Sequence, residues 1–286
     1  MTRQSQAHLW FLIALTFSNL FIWYAVMSQE RGGNLTVAFL DVGQGDSIFV
    51  ETPNGVQAII DGGPNSKMLN ELGRFMPAFD RSVDVIFVTN PDKDHYAGFI
   101  DLLKTFEIAS VVLSGTKSET ETFARFSREV ENEDSKRSLA MRGQRFVLDP
   151  EWGVYLDILF PDRDVSGLSS NDGSIISRLS FGNVCFILTG DAPVAIERYL
   201  VSLDRRSLDC QVLKAGHHGS RTSTSLEFVS AVSPEYAVIS SGAENKYGHP
   251  HKETLETLEK FSVKILRTDE KGSVVFKTDG NSLLYK

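Results

Sequence analysis

Five of the six histidines in this 286-residue chain fall in three short segments beside carboxylates and glycines, and only His8 lies elsewhere. The densest segment is Thr89-Asn90-Pro91-Asp92-Lys93-Asp94-His95, directly after the apolar run 83–88. Asp92, Asp94 and His95 on one loop bring oxygen and nitrogen donors to a common point, as a hydrolytic metal site requires. Asp-x-Asp before a helix is also an ordinary N-terminal helix signal, so the loop alone leaves both roles open. A second segment, Leu188-Thr189-Gly190-Asp191, again puts a carboxylate at the end of an apolar run, as a ligand or as a helix cap. The third, Lys214-Ala215-Gly216-His217-His218-Gly219-Ser220, places two imidazoles after a strand. Packing explains such a pair poorly, because a buried neutral imidazole still needs partners for both nitrogens. The fourth, Tyr247-Gly248-His249-Pro250-His251, offers His249 to a phosphate or a metal, or as a cap for the following helix. Taken together, the clusters favour a metal over the separate structural roles.

Two glycine-rich segments invite a different reading and do not sustain it. Asp41-Val42-Gly43-Gln44-Gly45-Asp46-Ser47 joins two strands, with no helix start to receive a phosphate and no third glycine, so the dinucleotide fingerprint fails. Asp61-Gly62-Gly63 ends a strand in a tight turn. Asp61, and with it Asp46, is read as a carboxylate that orients a ligand-bearing loop.

The elements that must carry these loops are short β runs at 35–40, 47–52, 57–60 and 83–88, with a hairpin pairing 48–50 against 58–60 across Pro53-Asn54-Gly55. Helices are expected at 66–75, 98–105 and 119–131, and an amphipathic one around Leu255, Leu258 and Phe261. A second strand set follows at 154–160, 175–180, 184–188, 210–214 and 237–240. Two strand-rich halves with interspersed helices suit an α/β sandwich of two sheets covered by helices, with the chemistry at one edge where the strand-end loops converge. Residues 35–286 read as one domain.

Residues 9–28 carry no charged side chain and are long enough as a helix to cross a bilayer's hydrocarbon core. A cleaved signal peptide competes, but the run is long and Ala25-Val26-Met27 is a weak cleavage site, which favours an anchor. Arg3 and Arg31 flank the run too evenly to fix its orientation, and residues 29–34 read as a linker. The 42% apolar content is ample for a core. A net charge of −8 argues against a broad basic surface for sequence-specific DNA binding. It argues less against a nuclease, where a metal rather than Lys or Arg can neutralise the scissile phosphate. Cys185 and Cys210 lack C-x-x-C spacing and read as small apolar strand residues; their pairing is left open.

Taken in order, the Asp41–Ser47 loop, Asp61-Gly62-Gly63, the Asp94-His95 loop, Thr189-Gly190-Asp191, His217-His218-Gly219-Ser220 and Tyr247-Gly248-His249-Pro250 resemble the motif series of ComEC-type metallo-β-lactamase domains, from about Leu35 to the C-terminus. The resemblance implies an αββα sandwich preceded by one transmembrane helix, in a stand-alone form without the family's multi-pass channel. It implies a metal-dependent hydrolase, a phosphodiesterase or nuclease cutting single-stranded DNA outside the cytoplasmic membrane during uptake, with a membrane DNA-uptake channel as partner. Residue by residue, Asp94, His95, Asp191 and one of His217 and His218, with His217 preferred, complete one metal position. The family's His-x-His-x-Asp-His motif is altered here to Asn90 and Asp92 at its first two places, leaving Asn90, Asp92 and Asp191, helped by Asn171 or Asp172, for another position. Oxygen donors there favour a harder ion such as Mn²⁺ or Mg²⁺, or leave that position empty, and for the site as a whole one or two divalent ions, Mn²⁺ or Zn²⁺, are expected. Asp92, Asp94 and Asp191 are the expected catalytic carboxylates, and Lys214, His218, Ser220, Arg221 and His249 the groups near the phosphate. Thr224-Ser225-Leu226-Glu227 resembles a capping box that would aim a helix start at the same place. Two alternatives stand beside this: a hydrolase of a small ester, thioester, lactam or cyclic nucleotide, and a catalytically weak, membrane-tethered binding module.

Overall fold

The structure is a computed structural model that describes residues 3–28 and 32–286. The described residues fall into two compact units divided after Gly33. The first holds one helix, α1 (Arg3–Ser28), whose segment Gln4–Tyr24 is long and apolar enough to cross a membrane. Three residues of the linker expected at 29–34 (29–31) lie outside the described residues.

In the second unit, β1 (Leu35–Phe39), β2 (Ile48–Glu51), β3 (Gln57–Ile60), β4 (Ser82–Val88), β5 (Glu107–Leu113) and β6 (Lys136–Leu139) lie side by side in chain order. The chain then builds a second sheet, β7 (Arg145–Asp149), β8 (Val154–Phe160), β9 (Ile176–Phe181), β10 (Val184–Leu188), β11 (Val212–Lys214), β12 (Tyr236–Ile239) and β13 (Lys264–Arg267), also in chain order. It returns to the first sheet with β14 (Val274–Thr278) beside β1, and β15 (Leu283–Tyr285) at the edge. The expected hairpin is present, with Ile48 opposite Ile60 and Val50 opposite Ala58.

Strand periodicity separates three cores. Val37 and Phe39 of β1 face the second sheet and pack with Leu179, Phe186 and Val238, while the intervening Ala38 faces the other way. Ala38 joins Met68, Tyr96, Phe99, Phe126 and Val130, which come from or lie beside α2 (Lys67–Leu72), α3 (Lys93–Tyr96), α4 (Phe99–Leu102) and α5 (Glu121–Asn132). On the outer face of the second sheet, Ile187 and Leu213 pack against Leu200, Phe228 and Leu258 of α6 (Val194–Asp204), α7 (Leu226–Val232) and α8 (Lys252–Lys260). A one-turn α9 (Thr268–Lys271) leads into β14. The result is an α/β sandwich with helices outside two packed sheets.

One local expectation changes, and the pairing left open is settled. α7 is capped by Ser225, whose side chain accepts from Phe228 N, so Thr224 is not the cap. The carboxylate that takes the free amides of Thr224 and Ser225 is the buried Glu197 of α6, at 2.6 and 2.8 Å, not Glu227. Cys185 and Cys210 form a disulfide. Parallel pairing of β10 with β11 sets Phe186 beside Val212 and so brings the two cysteines together.

Candidate metal centre

Strand ends from both sheets deliver the polar residues. After Val88 the chain turns through residues 89–92 into α3, which carries Asp94 and His95. β10 ends at Leu188, and Gly190 (φ +52) turns the chain to present Asp191. β11 ends at Lys214, and the chain then passes through His217 (φ 49, ψ 49) and His218 (φ 56, ψ 27). Two successive non-glycine residues in the left-handed region cost about 1–2 kcal/mol each, a strain that persists only where surrounding contacts hold it. The double turn sends His218 inward to full burial and leaves His217 at the rim. Gly219 (φ +81) follows, and a Cβ there would meet Pro250 Cβ at 2.6 Å, so the close approach of the 249–251 loop requires glycine.

At the centre, His95 Nε2 lies 3.0 Å from Asp191 Oδ2 and its Nδ1 lies 2.8 Å from Asp61 Oδ2. His218 Nε2 lies 3.3 Å from Asp94 Oδ2 and 3.6 Å from Asp191 Oδ2, while its Nδ1 lies 3.0 Å from the Ser240 carbonyl. Each Nδ1 thus donates to an acceptor behind the ring, and each Nε2 points at the carboxylates, where an ion would take the place of its proton. Asp61 is held in turn by Thr89, which donates from N at 2.8 Å and from Oγ1 at 2.6 Å.

Behind this cluster, Lys214 is buried, paired with Asp46, and donates to the Gly190 carbonyl at 2.9 Å. It is a buried counter-charge to the carboxylates and does not extend toward a phosphate. Asp46 also stands 3.4 Å from His218 Nδ1.

Burial works against charge throughout, yet the neighbouring charges prevail at most of these groups. Asp191 and Asp61 raise His95 well above the ordinary histidine range, and Asp191 with Asp46 carries His218 to about 10. Despite burial, His95 and His218 hold Asp191 well below the usual carboxylate range. Lys214 and His218 lower Asp46 to about 2, and the close approach of His218 lowers Asp94. Asp61 is the exception, where burial raises the carboxyl even against His95.

The donors present fit a divalent cation. Asp94, His95 and His218 each offer an atom within 4.8 Å of the others, as do Asp46, His95 and Asp191. His218 Nε2 and Asp191 Oδ1 are buried without a hydrogen-bond partner. Asp46, Asp61 and Asp191 act on one ammonium, Lys214, and Asp94 adds a fourth carboxylate beside His218. Protons on the two imidazoles or one divalent cation cancel the same two charges, so an ion can replace the protons without upsetting the balance.

The remaining expected residues are placed differently. Asn90 is buried, but its Oδ1 accepts from Asp92 N at 2.9 Å and its Nδ2 donates to Ser174 Oγ at 3.3 Å. Asp92 accepts from Ser170 Oγ at 2.8 Å and Asp172 from Ser169 Oγ at 2.7 Å, while Asn171 Oδ1 is buried without a partner. The 169–174 loop thus supplies a hydrogen-bond partner to each of Asn90 and Asp92. His217 Nε2 is 3.8 Å from Asp191 Oδ2 at the rim, against 3.6 Å for the buried His218 Nε2, which also stands 3.3 Å from Asp94 Oδ2. Ser220 is buried beside Thr222, its Oγ 2.9 Å from Thr222 Oγ1. Arg221 donates its backbone N to His251 Nδ1 at 3.2 Å. His249 is half-buried at the mouth, 3.4 Å from Gln44 Nε2, and burial with the charge of His218 and His217 lowers its pKa to about 4. Thr89 and the Ser240 carbonyl, which orient the two inner imidazoles, carry no signal in the sequence beyond their position at strand ends.

Residues 40–243 match the family model of the metallo-β-lactamase superfamily. The chain is 30% identical over 290 aligned residues to ComE operon protein 3 of Bacillus subtilis, covering 93% of this chain and 35% of that protein. It is also 30% identical over 243 residues to competence protein ComA of Neisseria gonorrhoeae, covering 84% of this chain and 32% of that one. The chain thus spans about a third of the length of these relatives, and the ComEC-type resemblance read from the motifs is borne out. Among solved structures, the metallo-β-lactamase-fold protein YhfI of Bacillus subtilis shares the fold at TM-score 0.53 and 12% identity, over 81% of this chain and 96% of that one. The matched span, the two packed sheets and the strand-end donors agree, and the chain belongs to the metallo-β-lactamase superfamily.

Proposed function

We propose that this protein is a membrane-anchored, metal-dependent phosphodiesterase that cuts single-stranded DNA outside the cytoplasmic membrane during DNA uptake. The observation that carries the proposal is the convergence of Asp94, His95, Asp191 and His218 at one strand-end edge, with His218 Nε2 and Asp191 Oδ1 buried and unpartnered. These four residues would hold one divalent ion, Mn²⁺ or Zn²⁺. Such an ion supplies Lewis-acid polarisation of a phosphoryl oxygen and acidifies water at the site. The chain's own contribution is to fix the donors: Asp61 and the Ser240 carbonyl set the imidazole tautomers, and Lys214 balances Asp46 beneath them. With Asn90 and Asp92 engaged by Ser174 and Ser170, one ion per chain is the stoichiometry this arrangement favours.

The competence-protein names of the relatives support DNA as substrate and an uptake channel as partner. The apolar helix α1 supports attachment to a membrane, and the Cys185–Cys210 disulfide suits an oxidising compartment outside the cytoplasm. The test is metal content of the purified chain, together with cleavage of labelled single-stranded DNA in Mn²⁺, for wild type and Asp191→Ala. Cutting at about one ion per chain, with both lost in the variant, is expected. Metal bound with turnover of small esters but not of DNA would replace the substrate assignment, and absence of bound metal would overturn the proposal.

A further inference from the structure

Beside the metal centre a cleft of about 600 Å³ runs between the 63–65 turn, the start of α3 and the loop that follows β12. Asp94, one of the four donors, forms part of its wall, so a ligand in the cleft is continuous with the centre. Across from it stands Tyr247, 54% exposed, its ring stacked on His249 at 5.6 Å and 23°. The backbone that carries this aromatic is fixed by side-chain hydrogen bonds. Asn245 fastens its loop by donating to the carbonyls of Gly242 and His249 at 2.8 and 2.6 Å and accepting from the amides of Tyr247 and His249 at 3.2 and 2.9 Å. Gln44 ties the base of the same loop to the first sheet, accepting from Gly242 N at 3.2 Å. Lys93 and Lys246 line the cleft, with Lys246 Nζ 5.2 Å from the Tyr247 ring centroid, and Glu244 is the one other charged group on the wall besides Asp94.

An anchored aromatic face, two ammonium groups and a phosphoryl-polarising centre in one cleft match the chemistry of an unpaired nucleotide. Bases stack on aromatic side chains regardless of sequence, while cations track the backbone. Duplex DNA keeps its bases stacked on each other and has no free face to offer. Resting on the nuclease reading above, we infer that Tyr247 is a stacking platform for an unpaired base next to the scissile phosphate, and that Lys93 and Lys246 hold the flanking backbone. Tyr247 thus makes the site selective for single strands.

The experiment is fluorescence anisotropy of the full chain in detergent, in EDTA so that no cutting occurs. The probes are a labelled oligothymidylate and an abasic oligonucleotide of equal length and charge, with wild type, Tyr247→Ala and Tyr247→Phe. Wild type should bind the thymidylate more tightly than the abasic probe. Tyr247→Ala should lose about tenfold on the thymidylate, within the range for one stacked base. The same variant should change little on the abasic probe, and Tyr247→Phe should keep the preference. Mn²⁺ content equal to wild type in Tyr247→Ala reports that the centre beside it is intact. Equal losses on both probes, or none on either, would overturn the stacking role while leaving the nuclease reading in place. Failure of wild type to bind either probe would also overturn the platform, while the nuclease reading stands or falls on the Mn²⁺ cleavage assay above.

Discussion

Asp61→Asn separates the orientation of a ligand from its identity. In the folded chain Asp61 Oδ1 accepts from the backbone amide of Thr89, and Oδ2 accepts from both Thr89 Oγ1 and His95 Nδ1. The backbone amide can only donate, so an asparagine must keep its oxygen there and turn its Nδ2 toward Thr89 Oγ1 and His95. The hydroxyl can rotate its proton away, and His95 Nδ1 can accept, so the bonds survive with reversed polarity. His95 is then pinned with its proton on Nε2, the nitrogen that faces Asp191 at 3.0 Å, and a protonated nitrogen cannot bind an ion. Loss of a carboxylate partner behind a metal-bound histidine costs roughly 10–100-fold in metal affinity, about 1.4–2.7 kcal/mol. Asp61→Ala is the poorer probe, since it leaves three buried donors unpaired at about 1–3 kcal/mol each and risks the fold. Titration of Mn²⁺ into wild type and Asp61→Asn by isothermal calorimetry, with thermal unfolding in EDTA alongside, reads both quantities. Affinity down at least tenfold with a nearly unchanged metal-free melting temperature is expected. Affinity within twofold of wild type in a folded variant would show that His95 Nε2 is not a ligand, or that Asp61 does not set its tautomer.

The metal centre should also show in the pH dependence of stability. His218 moves from 6.5 to about 10 on folding, so its contribution is fully present below pH 6.5 and is lost as pH rises through about 10. Urea midpoints of the metal-free chain should fall across that window while Mn²⁺ affinity rises, because the ion displaces the protons of His218 and His95. Gly219→Ala should destabilise by about 1–2 kcal/mol or more, since φ is +81 and the new methyl meets Pro250 Cβ at 2.6 Å; urea unfolding measures it. Reducing Cys185–Cys210 opens a loop with a sequence separation of 25 and should cost about 3 kcal/mol, read as a lower melting temperature in dithiothreitol and reproduced by a Cys185→Ser/Cys210→Ser variant.

What could be read ahead of the structure divides by the range of the interactions involved. Strands such as β1, β4 and β10 are written in local apolar patterns, and the donors Asp94-His95 and Asp191 sit directly after β4 and β10, so both the sandwich and the edge that bears the site were legible. The short, charged β6 and β7 were not, because exposed edge strands lack the alternation that marks a half-buried one. His217 and His218 could not be ranked from spacing, since two consecutive left-handed residues decide which ring turns inward and a sequence carries no dihedral angles. Asn90 and Asp92 occupy positions that local spacing assigns to ligands, yet their partners Ser174 and Ser170 lie 84 and 78 residues away in sequence. Loop serines of this kind are invisible to motif reasoning, and they decide whether a donor faces an ion or a neighbour. A site built from strand ends therefore announces its donors locally and hides its tautomers, its counter-charges and its stoichiometry in long-range contacts. Asp92 meets Ser170 through Oδ2, so histidine placed at position 90 with and without Ser170→Ala, read by Mn²⁺ stoichiometry, tests whether that contact is what keeps the pair out of the centre. A second ion only in the double variant is expected, and a second ion in the single variant would refute it.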